Sequence, residues 1–152
     1  MRFLLIPVLV ALVSCSPPPA KVPEQLTDES ILEKAAKEPG SIKTASGLIY
    51  TEIEPGSGPS PSATDTVKVH YRGTLKDGTE FDSSYKNNEP LEIPLDRVIP
   101  CWTEGVQRMK AGGKARLVCP ANIAYGAEGR PPVIPGGATL IFEIALIDVG
   151  HK

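Results

Sequence analysis

The sequence predicts an α+β domain in which an antiparallel sheet wraps one short helix. Three observations carry that prediction. Thr66–Thr74 alternates, with Val67, Val69 and Tyr71 on one face and Lys68, His70 and Arg72 on the other. Ala138–Val149 does the same, with Leu140, Phe142, Ile144 and Leu146 opposed to Ile141, Ala145 and Ile147. Between them Val98–Met109 places Trp102, Val106 and Met109 on one helical face, while Thr103, Glu104, Gln107 and Arg108 take the other. Strand patterns around one amphipathic helix make a two-layer α+β domain.

The remaining elements follow in chain order. Arg2, the apolar run Phe3–Val13 and then Ser14–Cys15 have the layout of a secretory signal. The run is too short to cross a bilayer, which takes about 20 apolar residues. Ser16–Pro23 holds four prolines and reads as an extended, semi-rigid spacer. A short amphipathic helix is expected over Asp28–Lys37, capped by Thr27 and ended by Pro39–Gly40, either docked on the domain or fraying. Leu48–Glu54 reads as a strand running into the turn-rich Pro55–Pro61. Asp77–Gly78 is a tight-turn signal leading to a partner strand at Thr79–Asp82. Leu91, Ile93 and Leu95 form a further alternating set. Pro100 suits a first helical turn, and Gly112–Gly113 stops the helix. Ala115, Leu117 and Cys119 share one face of the next strand.

The chain of 152 residues allows one domain with appendages, 1–14 as signal, 15–44 as spacer with the short helix, and 45–152 as the folded domain. Only 5% of residues are aromatic, so each ring is a candidate for a particular task. A net charge of −2 without a basic cluster gives no reason to expect nucleic acid. Pro120–Gly137 is long for a connection, yet it holds Tyr125, Val133 and Ile134. Apolar residues on a long loop argue for packing, and with Trp102 nearby they suggest an apolar pocket with a few polar tips.

Several spaced motifs resemble one family. His70–Tyr71 with Gly73–Thr74, Asp77–Ser84, Val98–Pro100 with Trp102–Gly105, Ala124–Gly126, Ile134–Pro135 and Ala138–Phe142 look like the FK506-binding protein family of peptidyl-prolyl cis-trans isomerases. The resemblance covers about residues 45–149. Thr44–Tyr50 is similar to the start of the domain in the secreted bacterial branch that includes macrophage infectivity potentiators. The resemblance implies a curved antiparallel sheet over a short helix. It implies a proline pocket with Trp102 as floor and Tyr71, Phe81, Val98, Ile99 and Phe142 as walls. Tyr125 would donate its hydroxyl to the bound chain, the Ile99 N–H would hold a substrate carbonyl, and Asp82 would be the polar member at the edge. Leu91, Val133 and Ile134 complete the expected substrate-binding set. Relatives often have an aromatic at Leu91 and an arginine at Asn87, so Asp82 lacks that cationic neighbour here. Arg130 stands where relatives vary and is expected to tune preference. Proline-containing folding polypeptides and FK506- or rapamycin-type inhibitors are the implied partners.

Other chemistry has less support. His70 and His151 lie far apart without metal-ligand spacing, and no histidine completes a triad with Ser83 or Ser84. No metal and no cofactor is expected. The rival reading is a proline-directed binding module or holdase using the same groove with little catalysis. Retention of Tyr71, Phe81, Trp102, Tyr125 and Phe142 favours the enzyme.

Leu12–Cys15 resembles the bacterial lipoprotein signal, implying lipid on Cys15, with an ordinary secretory signal as the alternative. Ser16 after that cysteine implies the outer membrane, facing the periplasm. In that oxidising compartment Cys101 and Cys119 are expected to pair, against two buried free thiols. The helix at Asp28–Lys37 is too short for the interface of dimeric relatives, so a monomer is expected.

Overall fold

Thr27 caps the first helix. In the computed structural model, which describes residues 27–150, its side chain accepts the Ser30 N–H at 3.1 Å. Helix α1 (Asp28–Ala36) follows, with Asp28 and Glu29 in its first turn where the helix dipole favours negative charge. The leader, Cys15 and the proline spacer lie outside the described residues.

Seven strands form one antiparallel sheet: β1 (Ser41–Lys43), β2 (Ile49–Glu54), β3 (Thr66–Leu75), β4 (Glu80–Ser83), β5 (Leu91–Pro94), β6 (Lys114–Cys119) and β7 (Leu140–Gly150). The order is β1-β2-β6-β7-β3-β4, with β5 also on β3. β3 and β7 pair along their whole length, from Thr66 opposite Gly150 to Leu75 opposite Leu140. The free side of β3 is shared by β5 near Thr66–Val69 and β4 near Arg72–Thr74. The β3–β4 turn closes as the residues demand: Gly78 has φ +87°, and Asp77 accepts the Thr79 N–H at 2.9 Å.

Helix α2 (Pro100–Val106) crosses the inner face. Leu48, Val67, Val69, Val106, Ala115, Leu117, Leu140 and Ile144 are fully buried between it and the sheet. Gly105 allows this closeness, since a Cβ there would lie 2.6 Å from Leu117. Cys101 at the start of α2 is disulfide-bonded to Cys119 at the end of β6, with Cα atoms 5.9 Å apart.

Three expectations are corrected. Helix α2 ends at Val106 and not at Met109, because Arg108 and Met109 donate to the carbonyls three residues back, at 3.1 and 3.0 Å, in tighter turns. The β3 partner strand is Glu80–Ser83, one residue later than the pattern suggested. The sheet begins before residue 45, because Ser41–Lys43 pairs with Thr51–Ile49 of β2. Helix α1 does not fray either. Its Ile31 and Ala35 pack on Ile49 and Val118, so these residues of β2 and β6 are buried on the outer face of the sheet. Burying side chains of this size contributes about 1.5–3 kcal/mol each for the larger ones, enough to hold a helix that is marginal alone.

Candidate active site

Four rings meet edge to face at the open end of the core. Trp102, on the first turns of α2, stands 5.1 Å from Tyr71 of β3 at 78° and 5.3 Å from Phe142 of β7 at 88°. Phe81 of β4 continues the series, 5.6 Å from Phe142 at 88°. Such arrangements place a ring's positive edge on its neighbour's negative face. Trp102 and Phe142 are nearly buried, 5% and 3% exposed, so they act as floor and not as rim.

Gly73 makes the close packing possible. It sits on β3 opposite Phe142, and a Cβ there would lie 2.5 Å from Phe81 and 2.9 Å from Phe142. Tyr71 is held at both ends. Its N–H donates to Ser84 Oγ at 2.8 Å, and its hydroxyl donates to Asp82 Oδ2 at 2.7 Å. Burial first, then the Asp82 hydrogen bond and charge, push the Tyr71 hydroxyl well above the usual tyrosine range. The group is therefore a neutral donor at any physiological pH. Asp82 Oδ1 accepts the Ser83 N–H at 2.9 Å, so each carboxylate oxygen has a protein donor.

These residues line a cavity of about 450 Å³, joined by Leu91, Ile93, Val98, Ile99 and Tyr125. Val98 and Ile99 are presented by a turn that is tied to α2, where Thr103 Oγ1 donates to the Leu95 carbonyl at 2.7 Å. A second cavity of about 410 Å³ shares Phe81, Asp82, Tyr125 and Arg130 with the first and extends to Pro131, Pro132, Val133 and Ile134. Gly129 shapes this loop, with φ +66° and no room for a Cβ against the Ile134 carbonyl 2.5 Å away.

The structure brings together Tyr71, Phe81, Asp82, Leu91, Val98, Ile99, Trp102, Tyr125 and Phe142 in one cavity. Val133 and Ile134, expected with them, line only the neighbouring cavity. Paired backbone hydrogen bonds between Arg130 and Ile134, at 2.8 and 2.9 Å, turn Ile134 into the core and leave Val133 52% exposed. Two lining residues, Ile93 and Arg97, were not among the expected site residues. Ile93 could have been found from its alternation with Leu91; Arg97 offered no periodic signal. Among the described residues no group of three or more His, Cys, Asp or Glu side chains could hold a metal ion.

The sequence profile of the family described as FKBP-type peptidyl-prolyl cis-trans isomerase matches residues 58–147. FKBP-type peptidyl-prolyl cis-trans isomerase FkpA of Escherichia coli is 51% identical over 117 residues, which is 77% of this chain and 43% of that protein. The crystal structure of FkpA from Escherichia coli superposes with a TM-score of 0.78 at 49% identity, covering 81% of this chain and 57% of that one. The crystal structure of a peptidyl-prolyl cis-trans isomerase from Pseudomonas syringae gives 0.77 at 41% identity, covering 82% and 91%. The chain spans about half the length of the curated relatives it matches.

Proposed function

Because the chain belongs to the FKBP-type peptidyl-prolyl cis-trans isomerase family, we propose that its aromatic cavity rotates X–Pro bonds of folding polypeptides. The observation that carries this is the cavity with the edge-to-face series Tyr71–Trp102–Phe142–Phe81 as floor and wall. Rotation about the peptide bond meets a barrier of about 18–20 kcal/mol, set by amide resonance. In the twisted transition state that resonance is lost and the carbonyl oxygen is less negative than in the planar amide. A water-poor apolar wall therefore favours the twisted form, which is differential binding of the transition state. The prolyl ring fits among Trp102, Phe142 and Phe81. The Ile99 N–H, which has no protein acceptor among the described residues, holds a substrate carbonyl, and the Tyr125 hydroxyl donates to the chain. Asp82 fixes the Tyr71 ring and moves no proton. The same cavity accepts FK506- or rapamycin-type inhibitors, as the family resemblance implies.

The reading extends to the whole protein. The Leu12–Cys15 motif supports lipid on Cys15, Ser16 supports the outer membrane, and the proline spacer sets a monomeric domain of residues 27–152 in the bacterial cell envelope. Exchange in a peptide with leucine before proline tests the activity, measured on residues 27–152. Acceleration blocked by FK506 is expected. A folded domain giving no rate above background, yet suppressing aggregation of an unfolded client, would transfer the groove to a holdase role.

A further inference from the structure

We infer that Arg97 and Arg130 make this pocket select polypeptides with an acidic side chain next to the proline. The inference rests on the isomerase reading and names the substrate class of the same site.

Two guanidinium-bearing residues line the first cavity, brought there by separate segments. Arg97 ends the turn Leu95–Arg97 directly before Val98 and Ile99. It therefore stands two residues from the N–H assigned to the substrate carbonyl. Arg130 lies on the 120–137 connection and lines both cavities. Its backbone is fixed by the paired bonds to Ile134, while its side chain is exposed. Its charge acts weakly on the Tyr71 hydroxyl at the pocket edge, opposing the rise caused by burial and Asp82.

Among the described residues Asp82 is the only acid lining either cavity. Its two oxygens already accept the Tyr71 O–H and the Ser83 N–H. Neither Arg97 nor Arg130 has a carboxylate within 4 Å, a state they share with Arg108 and most lysines among the described residues. The pocket thus presents two cations and one carboxylate, Asp82, whose charge its neutral donors do not cancel, leaving a net positive charge beside an apolar floor. A guanidinium offers a planar fork of donors that fits a carboxylate, so the complementary ligand is a prolyl peptide bearing aspartate or glutamate beside the proline. Both arginines are exposed, which limits each pair to about 0.2–1 kcal/mol, or about 1.4- to 5-fold. Salt should weaken the effect, since dissolved ions screen an exposed ion pair.

The test compares four proline tetrapeptides with the full chain, carrying Glu, Gln, Lys or Leu before the proline, and a second set with the same residues after it. The expected result is a Glu-to-Gln ratio in kcat/KM of about 1.4 to 5 at low salt in at least one set, falling toward one near 0.5 M salt. R97Q and R130Q should each lower the ratio, the double variant should bring it to about one, and R130E should turn the preference toward Lys. Wild-type ratios near one in both sets at low salt would overturn the inference, as would a ratio that survives the double substitution. If no peptide is isomerised, including the Leu reference, the isomerase reading fails separately. The inference is then decided by affinity, read from the fluorescence of Trp102, the only tryptophan, where equal binding of Glu and Gln peptides refutes it.

Discussion

Gly73→Ala puts one methyl group against two pocket rings. The added Cβ would lie 2.5 Å from Cζ of Phe81, 2.8 Å from its Cε2 and 2.9 Å from Cε1 of Phe142. Two effects oppose each other. Alanine restricts the unfolded chain and by itself would stabilise by about 0.4–1 kcal/mol. Forcing a methyl into a packed core costs about 1–3 kcal/mol. Neither ring yields easily, because Phe142 is wedged against Trp102 and Phe81 is wedged against Phe142. Overpacking should therefore win, with a net loss of about 1–2 kcal/mol. Urea denaturation would show this as a midpoint about 0.5–1 M lower at unchanged slope. Displacing Phe81 also opens the wall to water, so kcat/KM on a Leu-Pro peptide should fall by about an order of magnitude. A stability equal to or above that of the parent, with full activity, would mean the rings have room and would refute the packing argument.

Three further outcomes are expected. Phe142→Ala should cost about 3–5 kcal/mol by leaving a cavity beneath the site; Phe142→Leu, which keeps much of the volume, should fold and still lose most activity, as an exchange assay would show. Replacing Cys101 and Cys119 by alanine should lower stability by about 3 kcal/mol, from the chain entropy of a loop spanning 18 residues, measured by chemical denaturation. The activity should be flat from about pH 6 to 9, since Tyr71 stays protonated there and no group is required to titrate. Stability should decline above about pH 10, where the unfolded chain releases its tyrosine protons while folded Tyr50 and Tyr71, both raised chiefly by burial, retain theirs; denaturation midpoints across pH 9–11 check the sign.

Alternation by two residues was enough to place β3, β6 and β7 and to say which side chains face inward, because a strand with one buried face has no other way to satisfy its pattern. The spacing of Trp102, Val106 and Met109 likewise identified α2, and the ordered motifs from Tyr71 to Phe142 picked out most of the cavity wall. Other features depended on contacts between residues far apart in the chain. The nine residues of α1 are too few to be stable alone, so their docking is decided by Ile49 and Val118, which the fold leaves uncovered on the outer face. Val133 and Ile134 are adjacent and equally apolar, yet the Arg130–Ile134 bridge buries one and exposes the other. The Tyr71–Asp82 hydrogen bond exists because the β3–β4 register sets those residues near each other across the hairpin. Arg97 belongs to no periodic pattern, and only the turn before α2, anchored through Leu95 and Thr103, carries it to the pocket. Local pattern thus determined the elements and their inner faces. Tertiary packing decided which exposed, non-periodic side chains share the site, because their placement depends on where separate segments meet.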